Sequence, residues 1–293
     1  MTSVSAGDVP ASLVAEAEAA ADAADARAGI RTRPVDPVDP SELDGVLARF
    51  EATWGGGRGP DRATLQALDH AGNTLLVAVP DDEGADAPTA PAAAGATLQG
   101  APPLGAALGF LGWSGGLHLH SHMNAVDPAT RGRGIGVALK LRQRAVCLAH
   151  GVTEVRWTYD PLIRRNAHLN LVRLGAEVVA FLPDFYGRMD DAISGGDRSD
   201  RFEVRWRLDA PRTARALARR PAPEWSAEGG LTLVADFEAL RAADPAEAAR
   251  LRDASREAFA ALGGGEGGGR DLRAELDAHG DYVFTRDDPD REA

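Results

Sequence analysis

The feature that most constrains this chain is an Arg-x-x-Gly-x-Gly sequence at Arg131, Gly134 and Gly136. It stands between a segment of alternating residues, 117–126, and an amphipathic pattern that continues to about His150. This order predicts a strand, a Gly-rich turn and a helix that begins at the glycines. Free backbone N–H groups and the positive end of the helix dipole meet at such a turn, and glycines let phosphate oxygens approach closely. The loop is therefore predicted to bind a pyrophosphate.

Charge is unevenly distributed along the chain. The formal net charge is −12 and the sequence pI is about 5.1, which argues against a general nucleic-acid-binding protein. Between residues 131 and 173, however, nine basic residues stand against Glu154 and Asp160, a local net charge of +7. This excess indicates an anionic ligand, and a set of solvated surface charges is the alternative interpretation.

The single cysteine and the lack of long apolar segments favour one location. Cys147 excludes an internal disulfide and is expected to be a small buried residue in the helix after the loop. No apolar run is long enough to span a bilayer, and the first residues lack the basic and apolar regions of a secretory signal. We therefore expect a cytoplasmic protein that binds neither membranes nor nucleic acid.

Composition and periodicity divide the chain into three regions. Residues 1–37 are rich in Ala, Asp and Pro and are predicted to form a disordered leader, apart from a short helix around 13–26. Residues 38–210 carry helix and strand patterns and are predicted to form one domain, with a flexible insertion at 81–103. Residues 211–293 change in character and are predicted to form a small appended α/β segment.

The order of the predicted elements resembles that of a known superfamily. It reads helix, helix, three strands, Gly-rich loop and helix, strand, helix and two strands. With Arg131, Gly134 and Gly136, this order resembles the GCN5-related N-acetyltransferase (GNAT) superfamily over residues 38–210. In that family an Arg/Gln-x-x-Gly-x-Gly/Ala loop cradles the pyrophosphate of coenzyme A. The resemblance implies an α/β (α+β) fold with a mixed, mostly antiparallel twisted sheet flanked by helices.

Further segments resemble a little-characterised group of predicted GNAT acyltransferases. The matching segments stand on both sides of the loop and continue to the end of the predicted domain. They are residues 121–123, 157–162, 166–170, 186–190, 199–202 and 206–208. Because many segments match in register, the resemblance points to this group, although it does not name the substrate.

The resemblance implies that acyl-CoA is the co-substrate. Main-chain groups near Val126 are expected to hold the pantetheine arm and to help polarise the thioester. Asn166 and Asn170 lie four residues apart on one helix face, where they either hydrogen-bond the pantetheine amides or stabilise that helix. Arg164 and Arg165 are candidates to contact the CoA 3′-phosphate or an acidic acceptor. The alternative is that both side chains are solvated at the surface. The candidate binding residues are Val126, Arg131, Gly132, Arg133, Gly134, Ile135, Gly136, Asn166 and Asn170.

His120 is the candidate general base. Many relatives carry a carboxylate eleven residues before the loop arginine, and counting back from Arg131 reaches His120. An imidazole that titrates near pH 6.5 accepts a proton directly or through a water, and a hydrogen-bonded core histidine is the alternative. A zinc site is a further alternative, because histidines recur at His118, His120 and His122. Same-face neighbours lie about 6.6 Å apart along a strand and converge poorly on one ion, so no metal is expected.

The general acid is less clearly indicated. Many relatives have a Tyr on the helix after the fifth strand, and Leu171 stands at that position here. Tyr186 and Tyr159 are the substitutes in matched segments, with Tyr186 slightly preferred, and a packing role for either ring is the alternative. A CoA thiolate is a good leaving group, so a dedicated acid is not required.

These residues favour one function and leave alternatives open. The chain is predicted to be an N-acyltransferase that moves an acyl group from acyl-CoA to the amine of a small molecule or amino acid within a ternary complex. Acetyl-CoA is the default donor, and the local arginines make succinyl-CoA the alternative. A GNAT fold that binds or senses acyl-CoA without turnover is the alternative function. A homodimer is a further expectation.

Overall fold

The computed structural model describes residues 9–36, 38–57, 59–81, 102–187, 197–262 and 272–291. The helices are α1 Ala11–Ala28, α2 Pro40–Trp54, α3 Arg62–His70, α4 Ile135–Ala149, α5 Arg164–Ala167, α6 Pro211–Leu217, α7 Phe237–Ala243 and α8 Pro245–Phe259. The strands are β1 Ile30–Pro34, β2 Thr74–Pro80, β3 Gly105–Gly112, β4 His118–Val126, β5 Glu154–Tyr159, β6 Glu177–Leu182, β7 Arg201–Arg207, β8 Gly229–Leu231, β9 Arg273–Leu276 and β10 Tyr282–Thr285. The chain divides into two units, Met1–Val152 and Thr153–Ala293.

The first unit is an antiparallel sheet with helices on both faces. Its strands pair in the order β1-β2-β3-β4. Leu75 and Val77 of β2 belong to the apolar cluster that contains Val46 and Phe50 of α2. The hydroxyl of Thr74, one residue before Leu75, accepts a hydrogen bond from Gln143 of α4 at 3.0 Å. Because side chains alternate along a strand, α2 and α4 cover opposite faces.

A β-bulge in β4 changes which residues face α4. Leu108 of β3 is opposite Met123, whereas Gly109 is opposite Ser121, so His122 is the extra residue. Ser121 and Asn124 are three residues apart, a spacing that would place them on opposite faces of a regular strand. The bulge brings both onto the α4 face, where each makes a hydrogen bond with that helix.

The second unit contains two antiparallel sheets. One has the strand order β5-β7-β6, and the other has the order β8-β10-β9. The rings of Phe202 in β7 and Phe259 in α8 lie 4.5 Å apart between centroids, and the Arg212 guanidinium binds Glu275 at 2.7 Å. Residues after 210 therefore share the core of β5 to β7. The division of the chain lies at residue 152, and not at the expected boundary of residue 210.

The predicted fold class is confirmed. Six predicted strands correspond to β2 to β7, they pair mostly antiparallel, and helices flank them. The predicted insertion, residues 81–103, lies outside the described residues except at its two ends. No helix in the described ranges combines the length and the apolar character needed to cross a membrane.

The short helix predicted around residues 13–26 is present, whereas the prediction that the leader around it is disordered is wrong for its described residues. Residues 11–28 form α1, an 18-residue helix, and β1 follows at the edge of the sheet. Ala17, Ala21, Ala24 and Ala28 are buried, with spacings of four, three and four residues that mark one helix face. An alanine-rich composition suggested disorder, but small side chains at this period allow α1 to pack closely on α4.

We predict that Ala21→Leu destabilises the protein, because Ala21 has no exposed surface and the larger side chain overpacks the α1 face. The expected loss in the free energy of unfolding is about 1–3 kcal/mol, measured by urea denaturation. Ala19→Leu is the matched control, since Ala19 is exposed on the same helix. Equal stability of both variants would contradict the packing of α1.

Candidate active site

The Gly-rich loop joins β4 to α4 through a short 3-10 turn, Pro128–Thr130. Gly132 and Gly134 have φ angles of 86° and 92°, which L side chains rarely adopt. A Cβ atom at either position would meet no atom within 4 Å. Conformation, and not crowding, therefore requires glycine at these two positions.

The N-terminus of α4 leaves backbone donors without a partner in the helix. The Ala138 N–H donates to the Gly134 carbonyl at 3.0 Å, and no described side chain caps the helix. The N–H groups of residues 135–137 precede this hydrogen bond, so the helix itself does not satisfy them. Together with the helix dipole, they form a place where an anion can bind.

The start of the loop is fixed by a partly buried ion pair. The guanidinium of Arg49 in α2 donates to the carboxylate of Asp127 at 2.9 Å and to the Pro103 carbonyl at 2.8 Å. The Asp127 carboxylate also accepts from the Ala129 N–H at 2.9 Å, and its pKa is lowered by that hydrogen bond and by Arg49. These contacts hold the chain where it leaves β4.

The arginine side chains of the loop differ in their surroundings. Arg131 is exposed, as a residue that binds a ligand from solution would be. The Arg133 guanidinium donates to the Ala28 carbonyl at 2.6 Å, at the end of α1 where helix carbonyls carry partial negative charge. The Arg133 side chain therefore holds the loop against α1, and its main-chain N–H donates to the Thr130 carbonyl at 3.3 Å within the loop.

The local excess of positive charge is largely matched by carboxylates of the protein. Arg142 of α4 binds Asp22 and Asp25 of α1 at 2.6 and 3.1 Å, and Arg144 binds Glu16 at 3.3 Å. The interpretation of the excess as a mark of an anionic ligand is therefore wrong for these residues. The acidic partners lie more than 100 residues earlier in the sequence, in the short helix predicted within the leader.

Arg164 and Arg165 have protein partners in the second unit. Arg164 donates to Asp281 at 3.1 Å and to the Leu233 carbonyl at 2.6 Å, and Arg165 pairs with Glu238. Both side chains thus hold residues that follow position 210, which accounts for them without a phosphate or an acidic acceptor.

Three aromatic rings meet on one face of the β3–β4 hairpin. Phe110 is directly opposite His120, and their ring centroids are 5.3 Å apart. His122 lies 5.7 Å from Phe110 and 6.1 Å from His120. We call Phe110, His120 and His122 the ring wall. His118 is not part of it: its ring is buried, and its Nδ1 donates to the Gly116 carbonyl at 2.8 Å.

His120 is a much weaker base than the sequence suggests. Burial, and to a smaller extent His122, His118 and Lys140, lower its pKa to about 4. Burial also lowers the pKa of His122, although part of that side chain reaches solvent. The expectation of a titration near pH 6.5 is therefore corrected: both imidazoles are neutral at pH 7. In the described part of the chain, no three His, Cys, Asp or Glu residues are placed to hold a metal ion.

Lys140 is a buried amine that the sequence reasoning missed. It is 5 % exposed, and its Nζ donates to the Ser121 hydroxyl at 2.7 Å. Burial lowers its pKa to about 7. The available signal was its position in α4, four residues after Gly136 on the face that packs on the sheet. Cys147 lies on the same face, and burial raises its pKa to about 12, which confirms the expected inert thiol.

The two tyrosine candidates have different environments. The Tyr186 ring is partly exposed, and its hydroxyl lies 3.1 Å from that of Thr158. The Tyr159 hydroxyl is buried 3.0 Å from that of Tyr282, which donates to the Pro161 carbonyl at 3.0 Å. Burial raises the pKa of Tyr159. Tyr159 is therefore corrected to a packing residue, and Tyr186 remains a prediction.

Asn166 and Asn170 do not share a regular helix face. α5 ends at Ala167, and a π-helical segment, His168–Arg173, follows. Asn170 is 3 % exposed, and its side-chain oxygen accepts a hydrogen bond from the Trp157 indole at 3.3 Å. The structure supports the stabilising alternative for Asn170. Leu171, at the position where many relatives carry a tyrosine, is buried beside it.

Comparison with solved structures finds acetyltransferases of GNAT type. The Escherichia coli ribosomal-protein-S18-alanine N-acetyltransferase aligns with a TM-score of 0.44 and 12 % identity, over 61 % of this chain and 94 % of that one. A chain of the NatC complex bound to Gag peptide and CoA aligns with a TM-score of 0.43 and 15 % identity, over 61 % of this chain and 98 % of that one. A GNAT-family protein from Desulfovibrio desulfuricans, described as a putative acetyltransferase, aligns with a TM-score of 0.41 and 19 % identity. The alignment covers 61 % of this chain and 99 % of that one.

These similarities concern the fold and not the activity. The identities and TM-scores are low, so they bear on neither the donor nor the acceptor of this chain. No family model and no curated protein matches the sequence. The order of the elements and the Gly-rich loop between β4 and α4 agree with the GNAT-type fold predicted from the sequence.

We predict that Lys140→Met changes how stability depends on pH. The folded-state pKa of Lys140 is about 7, below its unfolded value of about 10.4. Between these values the unfolded chain binds more protons, so the free energy of unfolding of the wild type rises with pH. The variant is expected to lose this contribution, which approaches about 1.4 kcal/mol per pH unit.

Urea denaturation at pH 7, 8 and 9 measures this difference. Arg27→Met is the control, because it removes an exposed cation of the same unit and is expected to keep the wild-type slope. A Lys140→Met slope equal to that of the wild type would show that the amine is not neutral when buried.

Proposed function

We propose that this chain is a GNAT-type N-acyltransferase that uses acyl-CoA. The observation that carries the proposal is the loop of residues 131–136. Two glycines in the left-handed region lead into an uncapped helix N-terminus, with open space around both. Such a loop suits a pyrophosphate, which accepts hydrogen bonds from several adjacent N–H groups. The GNAT-type order of the surrounding elements supports CoA as the carrier of that pyrophosphate.

Acetyl-CoA is the proposed donor. Succinyl-CoA was the alternative because arginines cluster in this part of the sequence, and a second carboxylate would need one of them. Arg142, Arg164 and Arg165 instead bind carboxylates of the protein. This use of the arginines favours the smaller, uncharged acyl group.

The proposed roles of the residues follow from the groups they present. Loop N–H groups of residues 132 and 134–136 hold the pyrophosphate with Arg131, and main-chain groups near Val126 bind the pantetheine arm. His120 accepts a proton from the reacting amine as a neutral imidazole. Tyr186 presents a phenol that is suited to protonate the departing thiolate. Neither Asn170 nor the Arg133 side chain retains a proposed ligand role, because each has a protein partner.

A non-catalytic module that binds or senses acyl-CoA is the second candidate. Two observations favour it: a buried leucine, Leu171, occupies the position of the tyrosine of many relatives, and His120 is a weak base. Release of free CoA thiol from acetyl-CoA in the presence of a panel of primary amines separates the two candidates. CoA binding without any amine-dependent thiol release would favour the module.

We predict that Gly134→Ala weakens CoA binding at least tenfold in isothermal titration calorimetry. A Cβ at φ 92° costs about 1–2 kcal/mol, and the loop would shift to relieve that strain. Gly57→Ala is the matched control, because Gly57 has φ 74° and open space in a distant turn. It is expected to lose similar stability and to keep CoA affinity.

Gly136→Ala adds a second control within the loop. Its Cβ would lie 3.7 Å from Val126, an ordinary contact, and its φ is not in the left-handed region. This variant is expected to bind CoA like the wild type and to be slightly more stable, because alanine favours a helix. Wild-type affinity of Gly134→Ala would argue against the loop as the CoA site.

We predict that His120→Ala lowers kcat about 100-fold, the lower end of the range for general-base catalysis, because the imidazole is a weak base. The loss is expected to be uniform between pH 6 and 9, where wild-type His120 stays neutral. Steady-state thiol release at several pH values measures both effects. His70→Ala, which removes an exposed histidine of the same unit, serves as control. An unchanged kcat would remove His120 from the mechanism.

A further inference from the structure

The ring wall restricts the class of amine that the proposed enzyme can accept. We infer that the acceptor is a weakly basic aromatic amine, bound with its ring against Phe110, His120 and His122. This inference rests on the proposed function and adds the chemistry of the acceptor to it.

The ring wall has the geometry of a surface for a flat, π-bearing molecule. Its three ring centroids lie 5.3 to 6.1 Å apart, and adjacent planes are tilted by 34° to 51°. The bulge at His122 lets the rings of His120 and His122 both approach the ring of Phe110. All three side chains are partly or largely exposed, so a ligand can reach them. Aromatic ligands gain from offset or edge contacts with such rings.

The charges around the ring wall do not favour an ammonium group. The groups that act on the charge of His120 are His118, His122 and Lys140, and no carboxylate of the described residues is among them. β4 itself contains no acidic residue, and Asp127, which directly follows it, is paired with Arg49. An alkylammonium ion would lose water at this surface without gaining a counter-ion, and Lys140, when protonated, would repel it.

The proton balance of amide formation leads to the same class of amine. The lone pair of a neutral amine attacks the thioester carbonyl carbon, a C–N bond forms, and the C–S bond breaks as the thiolate leaves. One N–H proton passes to His120 and Tyr186 gives a proton to the thiolate, which yields an amide and free CoA thiol. Solvent then takes the proton from His120 and returns one to the Tyr186 phenolate, so both side chains are restored. With a pKa of about 4, His120 is too weak a base to deprotonate an alkylammonium. Once the nitrogen is bonded to the carbonyl carbon, its N–H proton becomes acidic enough for His120 to accept. An amine that is already neutral at pH 7 needs no earlier deprotonation.

Three amines of similar size test the inference. Aniline combines a ring with low basicity, benzylamine keeps the ring but is strongly basic, and cyclohexylamine is basic and lacks the π system. At pH 7 with saturating acetyl-CoA, kcat/KM for thiol release is expected to be at least tenfold higher for aniline than for the other two. Equal or faster turnover of benzylamine or cyclohexylamine would overturn the inference and leave the proposed function intact. Absence of thiol release with every amine would overturn the proposed function, and the inference with it.

A binding measurement supplies a readout besides turnover. In the presence of CoA, aniline is expected to shift the ring-proton NMR signals of His120 and His122, and benzylamine is expected to shift them less. Phe110→Leu keeps an apolar side chain but removes the ring, and it is expected to raise the KM for aniline at least fivefold without changing the KM for acetyl-CoA. Leu111→Ala, an exposed neighbour on the other side of β3, is the control. Unshifted histidine signals with aniline would contradict the ring wall as the acceptor surface.

Discussion

A row of hydrogen bonds between α4 and the sheet determines how the rest of the first unit is arranged. Asn124 donates to the Gly136 carbonyl at 3.3 Å, Lys140 donates to Ser121 at 2.7 Å, and Gln143 donates to Thr74 at 3.0 Å. The three positions on α4 are four and three residues apart, so they form one stripe along the helix. Unlike apolar contacts, these pairs specify both the rotation and the axial position of α4. The direction of its N-terminal N–H groups follows from them.

The same helix is held on its other side by charge. α1 contributes alanines for close approach and carboxylates for Arg142, while Arg133 reaches the end of α1 from the loop. Exposed ion pairs contribute little each, but Arg142 is mostly buried between Asp25 and Thr32, where a pair has more effect. The positive charge near the loop is therefore mainly a means of attaching α1. Arg131 is exposed at the start of the loop.

Local patterns were sufficient to predict the strands β2 to β7, the Gly-rich loop and α4, because each has a clear period or a glycine with a conformational role. The sequence was misleading wherever a long-range partner decides the outcome. Alanines 17 to 28 indicated a short helix in an otherwise disordered leader, and their burial against α4 could not be predicted locally. Asn170 resembled a ligand-binding residue, but it accepts a hydrogen bond from Trp157. The low pKa of His120 could not be predicted, because it depends on burial and on residues brought near by the bulge at His122. The assignments of His120, Tyr186 and the loop residues to catalysis and binding stay predictions.

The burial of Lys140 has a consequence for the chemical behaviour of the whole protein. It is the only lysine in the sequence, and its amine is enclosed between α4 and β4. A thioester is an acylating agent toward any accessible amine, and proteins that handle thioesters are exposed to it continually. This chain presents no lysine side chain at its surface, so a thioester in solution finds no lysine amine to modify there. The same property makes the protein a clean background for amine-directed probes, because a label added to a mixture would mark other accessible amines and not the buried lysine of this chain.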